Sequence, residues 1–326
     1  MTQYKVNRDQ AIDLIKIVAM CMVVCLHTTH PYLNHPVHYI EYILYNTSVM
    51  AVPLFFMVSG YLLIGRPEKD YRYSFKKIWK MLRFVFIIVA IWGVICLPWD
   101  KEFFSTLAGN ISGALLCYYT FDRFWFLGAL CLLYCLYPLI NRLYGDLRNF
   151  SAVLAVTVVI LSLVFISNLT QGLEKHIYQT LRLWNWIFYF MLGGLCKHLT
   201  LPRTTAAILI IISAVTNILV IRWLGPHIPT TYCEYFYGCP VVILLSTSVF
   251  IFLKGFKIGN SPVIAGLSRL FLPVYTFHDF FFELFEHYGI MTYNGGTLFI
   301  AVLLSSIAFS WLIMKIPLLN RFFTLR

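Results

Sequence analysis

The chain has 326 residues, of which 60% are hydrophobic and only 12% are charged, and its mean hydropathy is +0.76. About a quarter of the residues of a soluble domain are charged, so this composition excludes a soluble globular protein and indicates an integral membrane protein. The net charge of +11 requires no nucleic-acid partner, because basic residues collect on the cytoplasmic side of membrane proteins and attract anionic membrane lipids.

Apolar segments follow one another along almost the whole chain. Most are about 17 to 25 residues long, the length that a helix needs to cross a hydrocarbon core of ~30 Å. With short loops between them, they predict a single all-α domain over residues 1–326, a polytopic membrane helical bundle of about ten transmembrane helices. The predicted spans are 11–30, 46–65, 82–99, 124–141, 152–169, 184–199, 204–224, 238–254, 266–288 and 297–319.

Positive charge is distributed unequally between the two sets of loops. If the N-terminus is cytoplasmic, 20 of the 25 Lys and Arg residues fall on the cytoplasmic side, so we predict that both termini are cytoplasmic. The first span is not expected to be a cleaved signal peptide, because no small-x-small site follows it. Cys233 and Cys239 fall in one outer segment, where a disulfide and two free thiols are both compatible with the sequence. No spacing typical of a metal site occurs.

The first span, DLIKIVAMCMVVCLHTTH from Asp13, contains ionisable residues in an otherwise apolar helix. The eleven residue steps from Lys16 to His27 amount to three helical turns plus about 20° and a rise of about 16 Å, so both side chains lie on one face. Asp13 precedes Lys16 by three residues, close enough for a salt bridge. Either Lys16 or His27 alone could snorkel to a membrane interface, but a common face favours a helix that lines a polar path.

A histidine near the outer end of such a path suits proton transfer, because its unperturbed pKa of ~6.5 lets it accept a proton near neutral pH. A lysine near the inner end suits a phosphate. We therefore predict His27 as the catalytic base, with Asp13 and Lys16 as charged members of the same catalytic helix. The two ends fit a substrate with an anionic end in the cytoplasm and a reactive end near the outer face, and acyl-coenzyme A has this shape.

The second and third spans contain further candidates. Ser59 lies deep in the second span, where a small residue either permits close helix packing or hydrogen-bonds an acyl carbonyl group. The basic, aromatic segment RPEKDYRYSFKKIWKMLR from Arg66 predicts an interfacial helix that leads into the third span. Its residues Lys80 and Arg83 share one helix face, and they either set the orientation of the chain or bind phosphate.

Two outer regions contain candidate acceptor-binding residues. Arg182 and Trp184 resemble a platform for a carbohydrate or a lipid phosphate, although an aromatic belt with one interfacial arginine gives the same pattern. The ninth span contains His278, Asp279 and Glu283 in its outer half, where charged groups are costly unless they face a polar cavity or one another. We predict that these carboxylates contact the acceptor or orient the base of the first span.

Taken together and in order, the motifs of this chain resemble the integral-membrane acyltransferase 3 family. The resemblance covers nearly the whole chain, although lysine stands at two positions where the family more often has arginine. The matching elements are Arg8, Asp13, Lys16 and His27, VPLFFMVSGYLL from Val52, Lys80 with Arg83, FWFLGALCLLYCLYP from Phe124, FYFMLGG from Phe188, and LSRLFLPVYTFH from Leu267.

The resemblance implies an enzyme, an O-acetyltransferase that uses cytoplasmic acetyl-CoA as its donor and no metal. Within the family, the chain looks closest to enzymes of the bacterial inner membrane that acetylate surface glycans such as enterobacterial common antigen. The implied acceptor is a hydroxyl group of a glycan or an undecaprenyl-linked saccharide, which is acetylated directly or through an acyl-histidine. The residues expected to bind the donor are Lys80, Arg83, Ser59 and His278. The residues expected to bind the acceptor are Arg182, Trp184, Asp279 and Glu283.

A secondary transporter is the alternative function. Its proton or substrate path would use Lys16, His27, Asp279 and Glu283, but the paired repeats with broken helices that are typical of transporters are not visible in this sequence. The sugar, its hydroxyl position, the short acyl group and the oligomeric state stay open at this stage.

Overall fold

The structure is a computed structural model that describes residues 9–32, 39–66, 70–96, 106–118, 124–224, 233–289 and 294–324. Regular structure in these ranges consists of α-helices and short 3-10 turns, without strands. This confirms the prediction of an all-α membrane bundle. The helices are α1 (Gln10–Thr29), α2 (Tyr39–Thr47), α3 (Ala51–Leu63), α4 (Tyr71–Cys96), α5 (Leu107–Leu116), α6 (Trp125–Leu143), α7 (Leu147–Thr170), α8 (Leu183–Leu195), α9 (Arg203–Leu224), α10 (Pro240–Lys254), α11 (Pro262–Arg269), α12 (Phe271–His287), α13 (Gly295–Ile313) and α14 (Pro317–Phe323).

Six helical segments among the described residues are long and apolar enough to cross a bilayer. One of them combines α2 and α3, which continue through the 3-10 turn Ser48–Met50 into a single segment, Tyr39–Leu63. The others are α1, α6, α7, α9 and α13. The remaining predicted spans each contain a helix as well, namely α4, α8, α10 and α12. A helix therefore occupies every segment that hydropathy predicts to cross the membrane.

Among the differences between the helix boundaries and the predicted spans, three concern α4, α5 and the pair α11 and α12. The expected interfacial helix and the third span form one helix, α4, whose sequence contains no proline that would end it. The outer segment 100–123 contains α5, which hydropathy did not predict. The predicted ninth span is divided at Leu270 into α11 and α12. Pro273 lies in the first turn of α12, where its missing N–H group removes no helical hydrogen bond.

The helices α3 and α8 pack at close range in the bundle. Gly60 of α3 lies against the backbone carbonyl group of Phe190, and Gly193 of α8 lies against that of Met57. A Cβ atom at either glycine would collide with the facing carbonyl oxygen. Small residues permit this close approach between membrane helices, and they fix α3, whose Phe55 lines the cavity described below.

The helix α1 lies inside the bundle, where it contacts α3, α10, α11, α12 and α13. Asp9 caps its N-terminus and accepts hydrogen bonds from the backbone N–H groups of Ala11 and Ile12 at 3.0 and 3.4 Å, which satisfies donors that have no partner within the helix. Ile15 and Ala19 are fully buried. This interior position explains how a helix with ionisable residues is stable here, because its polar side chains face other helices.

Candidate functional site

The inner end of α1 contains a buried carboxylate. Asp13 is 2% exposed and accepts a hydrogen bond from Ser268 Oγ of α11 at 2.7 Å. Lys16 Nζ lies 3.5 Å from Asp13 Oδ1, which is the predicted salt bridge. Asp13 therefore positions Lys16 and ties α1 to α11. His27 lies 14 residues further along α1, a rise of about 21 Å, and Arg8 lies outside the described residues.

The outer end of α1 meets α12 at a cluster of two histidines and one aspartate. His27 Nδ1 lies 3.7 Å from Asp279 Oδ1, and His278 Nε2 lies 3.4 Å from the same oxygen. The two imidazole rings have centroids 5.0 Å apart and an interplanar angle of 64°. His278 and Asp279 are buried, whereas 53% of the His27 side chain is exposed. His27 is therefore the member of the cluster that a bound molecule can reach most easily.

Hydrogen bonding orients the ring of His278. Its Nδ1 lies 2.9 Å from the backbone oxygen of Tyr275, which can only accept, so Nδ1 carries a hydrogen. Its buried Nε2 makes no hydrogen bond of good geometry with the described residues and faces Asp279. His278 therefore holds one ring nitrogen against the backbone of Tyr275 and places the other beside Asp279.

The same three side chains are close enough together to hold a metal ion. One ligand atom from each of His27, His278 and Asp279 lies within 4.8 Å of the other two, and imidazole nitrogen and carboxylate oxygen are common ligands of zinc. The spacing along the chain did not predict this arrangement, because one ligand is on α1 and the other two are on α12. The geometry is therefore compatible with two kinds of chemistry, proton transfer and cation binding.

A cavity of about 440 Å³ opens in front of His27. Residues of α1, α3, α6 and α12 line it, together with residues of the 3-10 turns Gln179–Leu181 and Cys233–Phe236. Its volume is within the usual range of small-molecule sites. The predicted site residues that line this cavity are His27, His278, Asp279 and Glu283.

The other residues singled out in the sequence lie away from the cavity. Ser59 Oγ donates a hydrogen bond to a backbone oxygen of its own helix at 2.9 Å. Lys80 is half-buried and Arg83 is exposed on α4, and neither lines the cavity, so phosphate binding by them stays a prediction. Cys239 is a buried free thiol, and the side chain of Cys233 is outside the part of the chain that the structure describes.

Arg182 and Trp184 are engaged with the protein itself. Arg182 is 3% exposed and donates hydrogen bonds to the backbone oxygens of Glu174 and Ile177 at 2.8 and 3.2 Å. Trp184 Nε1 donates to Glu174 Oε1 at 2.7 Å. Neither residue lines the cavity. Both belong to the protein layer behind the outer wall of the cavity and do not form an exposed platform.

Glu234 is a cavity residue that the sequence reasoning missed. It lies in the turn Cys233–Phe236, and its Oε1 is 3.4 Å from Arg182 Nη1. Burial raises the pKa of its carboxyl group, and the positive charge of Arg182 opposes this shift. A single acidic residue in the segment YCEYFYG has no spacing relation to another candidate, so only the folded structure identifies it.

Comparison with known proteins gives a family match over most of the chain. A family model described as an acyltransferase domain matches residues 9–315. An amino-acid racemase from Enterococcus faecalis is 38% identical over 68 residues, which are 21% of this chain and 10% of the racemase. The chain thus spans about a tenth of the length of that curated relative. No solved structure matches the chain.

Proposed function

This chain belongs to the acyltransferase domain family, and we propose that it moves an acetyl group from cytoplasmic acetyl-CoA to a hydroxyl group of a cell-surface glycan or its undecaprenyl-linked precursor. Membership of the family supports a membrane acyltransferase in general. The acetyl donor, the glycan acceptor, the bacterial inner membrane and the relation to enzymes for enterobacterial common antigen are parts of the proposal. The secondary transporter gains no support from the family match.

The observation that carries the proposal is the contact between His27 and Asp279 beside the cavity. His27 Nδ1 faces Asp279 at 3.7 Å, and in the proposed mechanism Nε2 faces the substrate. With a hydrogen on Nδ1, a neutral imidazole accepts a proton at Nε2, and Asp279 then stabilises the imidazolium. The separation exceeds a hydrogen bond, and such catalytic contacts commonly shorten when substrate binds.

The proposed reaction is one acyl transfer with balanced proton movements. His27 Nε2 takes the proton of the acceptor hydroxyl group as its oxygen attacks the carbonyl carbon of the thioester. The C–S bond breaks when the tetrahedral intermediate collapses, and the imidazolium returns its proton to the departing CoA thiolate. The products are an O-acetyl ester and CoA. In the acyl-histidine variant, the same nitrogen first attacks the thioester itself.

The donor is proposed to bind from the cytoplasmic side. Lys16, which Asp13 holds in place, provides positive charge for its phosphates, as do Lys80 and Arg83 of α4. The helix α1 joins this end to the cavity over a rise of about 16 Å between Lys16 and His27. CoA itself has an extended arm between its phosphates and its thiol, so phosphates and thioester would occupy the two ends of α1.

Transfer of labelled acetyl groups in proteoliposomes tests the proposal. The purified chain is reconstituted with a cell-surface saccharide extract and acetyl-CoA, and label in saccharide is measured. We expect His27→Ala to be at least about 100-fold slower than wild type, because this is the lower range of general-base contributions. The matched control is His287→Ala, an exposed histidine at the end of α12, which we expect to retain the wild-type rate.

Two results would contradict the proposal in different ways. If folded His27→Ala transferred label at the wild-type rate, His27 would not be the base. If wild type consumed acetyl-CoA and labelled no saccharide, the glycan acceptor would be wrong.

A further inference from the structure

A buried polar network lies behind the outer wall of the cavity and takes no part in the mechanism above. Glu174 is 1% exposed, and its carboxylate accepts hydrogen bonds from Asn168 Nδ2, Trp184 Nε1 and Asn185 Nδ2, each at 2.7 Å. Its backbone N–H group donates to Asn168 Oδ1 at 2.9 Å. Because neutral donors satisfy this buried carboxylate, Glu174 is a fixed point of the outer wall.

Arg182 is hydrogen-bonded to this network. Its Nη2 donates to the backbone oxygen of Glu174 and its Nε donates to that of Ile177. The guanidinium carbon lies 5.0 Å from the centroid of the Tyr235 ring, which is a cation–π distance. Nη1 and Nη2 lie 3.4 and 3.5 Å from Glu234 Oε1. These contacts fix the guanidinium group, and through it they hold Glu234 at the cavity wall.

Of the ion pair between Arg182 and Glu234, only the carboxylate of Glu234 faces the cavity. The Glu234 side chain is 26% exposed and the Arg182 side chain is 4% exposed. Glu234 lines the cavity and Arg182 does not. A carboxylate held in this way accepts hydrogen bonds from hydroxyl or amino groups of a ligand.

The rest of the cavity wall has the same electrostatic character. The Asp, Glu and His residues that line it are His27, His30, Glu234, His278, Asp279 and Glu283, and none of the described lining residues is Lys or Arg. An anionic ligand group would meet these carboxylates in a site partly shielded from water, where like charges repel more strongly than in bulk solvent. The cavity therefore suits an uncharged or positively charged group that carries hydrogen-bond donors.

Aromatic side chains provide a second kind of contact in the same cavity. Trp125 and Phe126 of α6, Tyr237 beside the turn Cys233–Phe236, and Tyr275 of α12 all line it. Aromatic rings offer broad apolar faces at low cost in side-chain entropy, and the tyrosines add hydroxyl groups. Apolar faces combined with hydrogen-bond acceptors match a sugar ring, which has C–H faces and a rim of hydroxyl groups.

We propose that Glu234 is a specificity-determining residue for the acceptor and that Arg182 is its positioning residue. This inference rests on the proposed function and names the acceptor class. The sugar that receives the acyl group is neutral or aminated, and a sugar that itself carries a carboxylate or phosphate is excluded from the cavity. In an undecaprenyl-linked saccharide, the acceptor is therefore a sugar beyond the one joined to the phosphate. Glu234 binds a hydroxyl or amino group of this sugar, while His27 deprotonates a neighbouring hydroxyl group.

The first test identifies the acetylated sugar. Proteoliposomes that contain the wild-type chain are supplied with labelled acetyl-CoA and a total cell-surface saccharide extract, and mass spectrometry identifies the sugar that carries the label. We expect a neutral or aminated sugar. Label on a uronate or a phosphorylated sugar would overturn this inference and leave the proposed function intact. If no saccharide were labelled, the proposed function would fail and this inference would fail with it.

The second test separates acceptor binding from the chemical step. We expect Glu234→Gln, which keeps the size of the side chain and removes its charge, to raise the KM for the acceptor at least about tenfold, as for the loss of a hydrogen bond to a charged group. The KM for acetyl-CoA and the kcat at saturating acceptor should change little. Glu286→Gln, at an exposed carboxylate of α12 outside the cavity, is the matched control.

A charge-retaining variant distinguishes the loss of charge at Glu234 from a folding defect. Glu234→Asp keeps the ion pair with Arg182, and we expect its acceptor KM to lie between those of wild type and Glu234→Gln. An unchanged acceptor KM in folded Glu234→Gln would overturn the assignment of Glu234. A fall in kcat alone in both variants would also overturn it, because that result indicates a structural role.

Discussion

Asp279 is the residue on which the outer cluster depends. One of its oxygens lies 3.7 Å from His27 Nδ1 and 3.4 Å from His278 Nε2. A single oxygen of Asp279 therefore faces both imidazole rings. In the proposed mechanism, the same carboxylate orients the exposed ring and offsets its charge when that ring becomes an imidazolium.

Replacement of Asp279 by asparagine tests this role. The amide oxygen can still accept a hydrogen bond from His27, but it cannot neutralise the imidazolium that forms in the proposed transfer step. We expect kcat for acetyl transfer to fall at least about 100-fold, with little change in the KM for acetyl-CoA. Initial rates over a range of acetyl-CoA concentrations measure both constants. A wild-type kcat in Asp279→Asn would show that this carboxylate does not support the base.

At the scale of helices, the cavity depends on how closely α3 approaches α8. Gly60 and Gly193 each lie against a backbone carbonyl group of the opposite helix, so the two backbones are in direct contact. The helix α3 carries Val52 and Phe55 into the cavity wall. A change in the distance between the two helices would therefore change the shape of the site as well as the stability of the bundle.

Two glycine substitutions test how closely α3 and α8 are packed. Gly193→Ala would place a Cβ atom against the carbonyl group of Met57. We expect the free energy of unfolding to fall by about 1–3 kcal/mol, as for other overpacked interiors. Gly266→Ala in α11 meets nothing within 4 Å, and it should be neutral or stabilise that helix by up to about 1 kcal/mol. Thermal unfolding in detergent compares the two. Equal midpoint temperatures would mean that α3 and α8 have room to separate.

The order of the helices was largely predictable from the sequence, whereas their breaks were not. Hydropathy follows local composition, and each span that it predicted contains a helix. It did not show the division at Leu270, because apolar residues continue through this position. After this break, α12 places Asp279 3.7 Å from His27 and Glu283 in the cavity wall. Periodicity within α1 placed Lys16 and His27 on one face. The partners of these residues come from distant helices, and no local pattern specifies them.

The basic residues at the predicted cytoplasmic side of the molecule fall into two groups. Some stabilise the ends of helices and are engaged with the backbone: Lys197 binds the carbonyl group of Ile64, Lys254 donates to that of Leu199 at 2.6 Å, and Arg203 donates to that of Gly255 at 2.8 Å. Cations in such positions complement the negative ends of helix dipoles. Lys80 and Arg83 of α4 make no ion pair with the described residues, and Arg83 is exposed. Lys80 and Arg83 form the second group, and their side chains are therefore available for a phosphate.

A pair of double variants on α4 tests whether this availability serves the donor. We expect the double variant Lys80→Gln and Arg83→Gln to raise the KM for acetyl-CoA about tenfold, because charge-assisted contacts to phosphate are lost, with no change in the KM for the acceptor. The double variant Arg72→Gln and Lys76→Gln removes the same charge from exposed positions about one to three turns earlier on α4. It should leave both constants unchanged. Initial rates in inside-out vesicles, with acetyl-CoA added outside, measure these constants. An equal rise in the KM for acetyl-CoA in both double variants would mean that the charges act through the membrane surface. Only a local phosphate site would make Lys80 and Arg83 differ from other basic residues of the same helix.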